Sequence, residues 1–385
     1  MSLLKSTLRQ WLPVVGMLLL AACSTANPSS TERTDSALQS SGSTQFSAAK
    51  GCKNVGILLP ESDSSARYEA YDRPLLEQEI KAAIPDVALQ YFNANNSATT
   101  QQNQAEAALT KGACILVVGP NDSEQASVIV QQAKNNGVPV IAYDRLIQDP
   151  DLAYYVSFNN EKVGELQGQY IVDQLAAGTL KLEKGANLVM INGAQTDNNA
   201  LLFRKGALSK LQPLIDKGEL KLVFDQYTPN WDSARAQSMM EGVLTKTSNN
   251  VQIAYAANDG LANTVIAALR AQNLNGKVLV TGQDATLTGI QNILSGDQGM
   301  TIYKPIAREA KATAQLVRAL SRGEDTQSLV NGATEIQGGK SIPSILENPI
   351  VVDQKNVADT VIKDGFLTKE QVCKGLPVKA SSVCL

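Results

Sequence analysis

From Val55 onward, short apolar runs alternate with amphipathic stretches. The runs cover residues 55–59, 87–92, 114–118, 138–143 and 154–158, then 188–191, 220–224, 253–257, 278–281 and 300–303. Each is short and mainly apolar, so each predicts a strand. The stretches between them carry helical period. Leu76, Ile80, Ala83 and Ile84 fall at i, i+4, i+7 and i+8, one face of a helix. Residues 124–136 form another such segment, which Gly137 stops. Residues 305–323 predict a long amphipathic helix, and the tail beyond reads as loop-rich. Strand–helix alternation of this kind predicts parallel sheets covered by helices on both faces. Ten strands are many for one sheet. About four βα units precede Asp144 and about four lie between Glu161 and Asp284, so the pattern predicts two similar α/β lobes facing each other across a cleft.

The ends of the runs are polar. In the first half they finish in Leu59-Pro60-Glu61, Asn93-Ala94-Asn95, Gly119-Pro120-Asn121-Asp122 and Tyr143-Asp144-Arg145. In the second they finish in Asn192-Gly193, Ala257-Asn258-Asp259 and Gly282-Gln283-Asp284. Ligands of open α/β sheets sit beyond the carboxyl ends of the strands, so these groups predict a cleft lined with fixed donors and acceptors. Asp122 and Asp259 read equally well as helix caps. Asp144-Arg145 is different, because it joins an acceptor to a planar donor fork. Such a site suits a neutral ligand with many hydroxyls, each of which donates once and accepts twice. Aromatic residues would cover the ring's C–H face; Tyr68, beside Arg67, and Trp231 are placed for this. Core packing is the alternative for Trp231, and its polar neighbours Pro229, Asn230 and Asp232 argue against it.

The N-terminus sets the compartment. Lys5 and Arg9 precede an apolar run from Trp11 that closes in Leu20-Ala21-Ala22-Cys23-Ser24. That is the layout of a secretory signal, and the run is too short to span a bilayer comfortably. It resembles the bacterial lipoprotein signal, in which the cysteine is lipidated and becomes the first residue; an ordinary signal with a chance cysteine is the alternative. The expectation is a signal over 1–22, a Ser/Thr-rich lipid-anchored tether over 23–50, and an extracytoplasmic location at the cell surface or in the periplasm.

Composition narrows the chemistry. The chain has no histidine, which removes Ser-His-Asp and Cys-His catalysis and the commonest zinc ligand. Without Lys5 and Arg9, 32 basic and 37 acidic residues remain, so nucleic acid is a poor partner. No Walker pattern, dinucleotide fingerprint or metal cluster is found, so no cofactor and no metal are expected. Besides Cys23 there are four cysteines, an even number that fits an oxidising compartment. Cys52 precedes one strand and Cys114 opens another; on neighbouring parallel strands they would share an edge and could pair. Cys373 and Cys384 would close a small terminal loop. Four cysteines allow three connectivities, and free thiols are the further alternative.

From about Lys53 to Leu367 the chain resembles the sugar-binding type I periplasmic proteins of ABC importers, in their D-xylose-binding branch. The resemblance is carried by Val140-Ile141-Ala142-Tyr143-Asp144-Arg145, Tyr155-Val156-Ser157-Phe158 and Asn160-Glu161-Lys162-Val163-Gly164-Glu165-Leu166-Gln167. It continues through Asp197-Asn198-Asn199-Ala200, Leu202-Phe203-Arg204, Asn258-Asp259, Gly282-Gln283-Asp284-Ala285, Tyr303-Lys304-Pro305 and residues 359–366. It implies two Rossmann-like lobes joined by a three-segment hinge: 51–159 with 305–325, and 160–304 with 326–385. By position it implies that Arg67, Asp144 and Arg145 bond a sugar from the first lobe. Asp197, Asn199, Asn258, Asp284 and Lys304 would do so from the second lobe or hinge, and Trp231 would stack on the ring. It implies an ABC permease as partner, no enzymatic activity, and a monomer. The chain departs from the family in its longer loop after the first strand, with Tyr68 where Trp is common, in Gly119-Pro120-Asn121-Asp122, and in its C-terminal cysteines. The first two bear on which sugar is bound.

The leading expectation is therefore a lipid-anchored receptor for an aldopentose, D-xylose first. The alternatives within the class are glucose, galactose, arabinose and ribose, and a sugar sensor for chemotaxis or two-component signalling. A transcriptional regulator would need a DNA-binding helix-turn-helix where the signal and tether lie. A two-carboxylate glycosidase finds no residue marked as acid or nucleophile.

Overall fold

The computed structural model describes residues 46–62, 65, 67–178, 185–377 and 381–385. The signal, Cys23 and most of the expected tether lie outside these residues. Residues 46–50, the end of that stretch, are not a tether. They form a turn in which Ala49 is buried, Phe46 packs on the first core, and the Ala48 amide donates to the Gly137 carbonyl at 3.2 Å.

The chain opens with β1 (Asn54–Leu59), a short π-helical turn (Tyr68–Asp72), α1 (Arg73–Ala83), β2 (Ala88–Asn93) and α2 (Ala98–Thr110). Next come β3 (Ile115–Val118), α3 (Ser127–Asn135), β4 (Val140–Tyr143) and β5 (Tyr154–Phe158). The second series is α4 (Asn160–Ala176), β6 (Ala186–Asn192), α5 (Asn198–Asp216), β7 (Leu220–Tyr227), α6 (Ser233–Lys246) and β8 (Ile253–Ala256). It continues with α7 (Asp259–Ala271), β9 (Leu279–Val280), α8 (Leu287–Ser295) and β10 (Met300–Tyr303). The chain ends with α9 (Ile306–Arg322), β11 (Gly332–Glu335), β12 (Ser341–Glu347), β13 (Ile350–Asp353) and α10 (Lys369–Cys373).

The first sheet has the order β11-β12-β5-β4-β3-β1-β2 and is parallel except for the β11–β12 hairpin. Strands β3, β4 and β5 are buried throughout, which is why their sequences run apolar without alternation. The second sheet is β7-β6-β8-β9, also parallel. Beyond β9 the Ile302 amide donates to the Gly282 carbonyl, so β10 extends that layer, and β13 adds to it antiparallel. Each sheet is covered by helices. Helices α4 and α5 cross so closely that a Cβ at Gly206 would overlap the Glu161 carbonyl, which fixes how α5 enters the cleft.

All ten apolar runs are strands. The tail is not the loop-rich segment expected: it supplies β11, β12 and β13. Two short polar strands and a Pro343 inside β12 hide the signal. The boundary expectation changes with it. The expectation places residues 326–385 in the second lobe, yet β11 and β12 hydrogen-bond into the first sheet through β5. Three segments pass between the sheets: β5 into α4, β10 into α9, and β12 into β13. The Asn159 amide donates to the Glu347 carbonyl at 3.0 Å, tying two of these crossings together. Disulfides join Cys52 to Cys114 and Cys373 to Cys384.

Candidate functional site

The carboxyl ends of the strands of both lobes meet around one small cavity, which the surrounding side chains nearly fill. Its lining contains all ten residues expected from the sequence: Arg67, Tyr68, Asp144, Arg145, Asp197, Asn199, Trp231, Asn258, Asp284 and Lys304. Ser65, Phe203 and Gln283 complete it. Phe203 lies four residues after Asn199 on α5, so helical spacing alone could have found it. Gln283 is the neighbour of Asp284 at a strand end.

Asp144 is the hub. It follows β4 with φ at 58°, a left-handed conformation that turns its carboxylate inward. That carboxylate accepts from Arg67 Nη1 at 2.9 Å, Tyr68 Oη at 2.6 Å and Lys304 Nζ at 3.2 Å. Its carbonyl accepts from Tyr155 Oη, Ser157 Oγ and Asn199 Nδ2. Burial alone would raise its pKa; the charges of Arg67 and Lys304, with the Tyr68 hydrogen bond, outweigh it and hold the carboxyl well below the usual range.

Arg67 is spread over three carboxylates. It donates to Asp72 through Nε at 2.8 Å and Nη2 at 2.6 Å, to Asp144, and to Glu309 at 2.9 Å. Tyr143 Oη also donates to Asp72. Asp72 and Glu309 therefore stand behind Arg67 rather than in the cavity. No sequence pattern announces a pair 242 residues apart. Arg145 joins Glu61 of the first lobe to Asp197 of the second, at 2.5 and 2.9 Å. Burial raises the carboxyls of Glu61, Asp197 and Glu309 despite these arginines.

The second lobe presents its groups from helix starts. Asp197 caps α5 through the Asn199 amide, and its other oxygen forms an ion pair with Arg145 and, at 3.2 Å, accepts from Trp231 Nε1. Asn199 spends its side chain inside the protein: it donates to the Asp144 carbonyl and accepts from Asn160. Asn258 caps α7. Trp231 lies against Gly193, where any Cβ would overlap the indole, so the ring can lie flat only over glycine. Trp231 packs on the second core and also lines the cavity.

Asp284 repeats the Asp144 geometry, with φ at 93°. Its Oδ1 accepts no hydrogen bond from a described residue, and Lys304 Nζ is 3.8 Å away. Gln283 Oε1 is likewise without a described partner. Burial raises the Asp284 carboxyl, with Lys304 and Arg67 opposing. The ambiguous Asp122 and Asp259 are structural. Asp122 caps the turn before α3. Asp259 accepts from Gln298, Thr301 and Thr286 behind the cavity.

The arrangement offers carboxylate acceptors, guanidinium and ammonium donors, and an indole around a small shared space. Comparisons with known proteins point the same way. Residues 55–325 match the family described as periplasmic binding protein domain. A D-xylose-binding periplasmic protein of Haemophilus influenzae is 40% identical over 330 residues, 86% of this chain and 95% of that protein. Its namesake from Escherichia coli is 38% identical over 318 residues, 83% and 92%. A crystal structure of an ABC transporter solute binding protein from Clostridium phytofermentans, with bound β-D-glucose, superposes with a TM-score of 0.75 at 30% identity. The match covers 83% of this chain and all of that one.

Proposed function

Because this chain belongs to the periplasmic binding protein family, we propose that it is the sugar receptor of an ABC importer, closing its two lobes on one monosaccharide, D-xylose first. The observation that carries the reading is the pair of buried acceptors without a described partner, Asp284 Oδ1 and Gln283 Oε1, on two residues that line the cavity together with Trp231. Burying such oxygens unpaired costs about 1–3 kcal/mol each, which a sugar hydroxyl would recover. A micromolar site needs about 8 kcal/mol net. A few charge-assisted hydrogen bonds at about 1.5–3 kcal/mol each, with a stacked aromatic, supply it.

The charge balance supports a neutral ligand. Arg67, Arg145 and Lys304 already face Asp72, Asp144, Asp197, Asp284, Glu61 and Glu309. A sugar acid or phosphate would enter a cavity whose three lining cations are already matched by the carboxylates Asp144, Asp197 and Asp284, so no net positive charge is left to hold it. The proposal extends to extracytoplasmic residence through a lipid on Cys23 and to delivery of sugar to a membrane permease. Glucose is the second reading, favoured by the glucose-bound relative.

Calorimetric titration with D-xylose, glucose, galactose, arabinose and ribose tests it. The expected result is one saturable site with D-xylose tightest; binding of none of them refutes it. Of the two tryptophans, Trp11 lies in the N-terminal apolar run, so Trp231 fluorescence offers a local readout.

A further inference from the structure

Away from the cavity, the loops after β3 and β4 touch the loop that leads from β6 to α5. The Ser123 amide donates to the Thr196 carbonyl at 2.9 Å, and the Asn198 amide donates to Ser123 Oγ at 3.1 Å. Gln148 Nε2 donates to Asn198 Oδ1 at 2.9 Å. Gln148 is itself braced: its amide donates to the Ser123 carbonyl, and its Oε1 accepts from the Gln337 amide in the β11–β12 turn. None of Ser123, Gln148, Thr196 and Asn198 lines the cavity.

We propose that Ser123 and Gln148 form a rim latch that sets how long a bound sugar stays without touching it. The proposal rests on the reading of the cavity as a sugar site. The groups lining that cavity are largely buried, so a ligand leaves only when the lobes part, and parting breaks the three bonds to Thr196 and Asn198. Asn198 is the first residue of α5, whose opening amides lack partners within the helix. The Ser123 hydroxyl of the opposite lobe supplies one. Helix α5 also carries Asn199 and Phe203 to the cavity, so the latch holds the helix that presents them. In a parted state water would satisfy the same groups, so the bonds favour closure without being needed for folding. Because the latch touches no sugar, it acts equally on every sugar that fits.

The test uses the full protein and the variants S123A, Q148A and their combination, with D-xylose and the other four monosaccharides as probes. Stopped-flow Trp231 fluorescence gives kon and koff, and melting gives the Tm of the sugar-free protein. The combined variant is expected to raise koff and Kd together by about five- to twenty-fold. Its kon should stay within two-fold, the factor should be the same for each bound sugar, and the sugar-free Tm should fall less than the sugar-loaded one. Three results overturn the latch: koff within 1.5-fold of wild type, a loss confined to kon, or a sugar-free Tm that falls as far as the sugar-loaded one. Wild-type protein that binds none of the sugars overturns the functional reading and the latch with it. Wild-type binding with unaltered variants overturns the latch alone.

Discussion

Asp144 and Asp284 are counterparts across the cleft. Each follows a strand, takes a positive φ, and donates its amide to the next strand, to the Val156 carbonyl at 2.9 Å and the Ile302 carbonyl at 2.8 Å. Lys304 Nζ stands between them, 3.2 Å from one carboxylate and 3.8 Å from the other. They differ in saturation. Asp144 receives three side-chain hydrogen bonds from the protein, whereas Asp284 Oδ1 receives none from the described residues. Asp144 thus organises the site, and Asp284 is the acceptor left for a ligand.

Asp284→Ala therefore separates binding from folding. Its expected effect is a Kd raised at least about thirty-fold, equivalent to ~2 kcal/mol, with no fall in the Tm of the sugar-free protein. Calorimetry and melting curves check both halves.

Arg145→Ala should lose both. It leaves Glu61 and Asp197 buried without their cation, a change that costs about 3–5 kcal/mol. The expected outcome is a lowered Tm as well as lost affinity. Arg145→Lys should restore little of either, because one ammonium cannot reproduce a fork reaching two carboxylates. Denaturant titration measures the stability part.

The sequence made the strands and their polar ends legible, because burial on both faces demands unbroken apolar runs and ligands gather where those runs stop. Asp144, Arg145 and Asp284 were visible for that reason. What stayed hidden was contact across sequence distance. Asp72 and Glu309 meet only through Arg67, and neither sits at a strand end. Strands β11 and β12 were hidden because their half-exposed positions and Pro343 weaken the apolar pattern. Asp259 looked like either a cap or a ligand; the neighbouring Asn258 takes the cap, and Asp259 turns into the protein.

Asp259 predicts a pH dependence. Burial pushes its carboxyl up to about 7 from 3.8, against the Gln298 hydrogen bond and with help from Asp284. Between those values the folded protein holds a proton that the unfolded chain has released. This contribution is full below pH 4 and is lost as pH rises to 7. Asp259→Asn should flatten that slope, by on the order of 4 kcal/mol across the window. Asp144 has the opposite sign, its contribution present above its ordinary pKa and lost as pH falls below it. Urea unfolding of wild type and Asp259→Asn from pH 4 to 8 measures the difference.

The two disulfides should differ in worth. Cys52–Cys114 spans 62 residues and Cys373–Cys384 spans 11. Loop closure assigns them about 4 and about 3 kcal/mol. Paired serine replacements should lower stability in that order. Removing the terminal pair should leave sugar affinity unchanged, since neither cysteine lines the cavity. Unfolding curves and a D-xylose titration of each variant check this.

The central claim is that the two lobes grip an uncharged sugar between Asp144 and Asp284. A crystal structure of the protein grown with saturating D-xylose tests it most directly. The account predicts a pyranose ring against Trp231, with a hydroxyl within hydrogen-bond distance of Asp284 Oδ1. Sugar found outside this cavity, or the cavity without sugar at saturation, would contradict it.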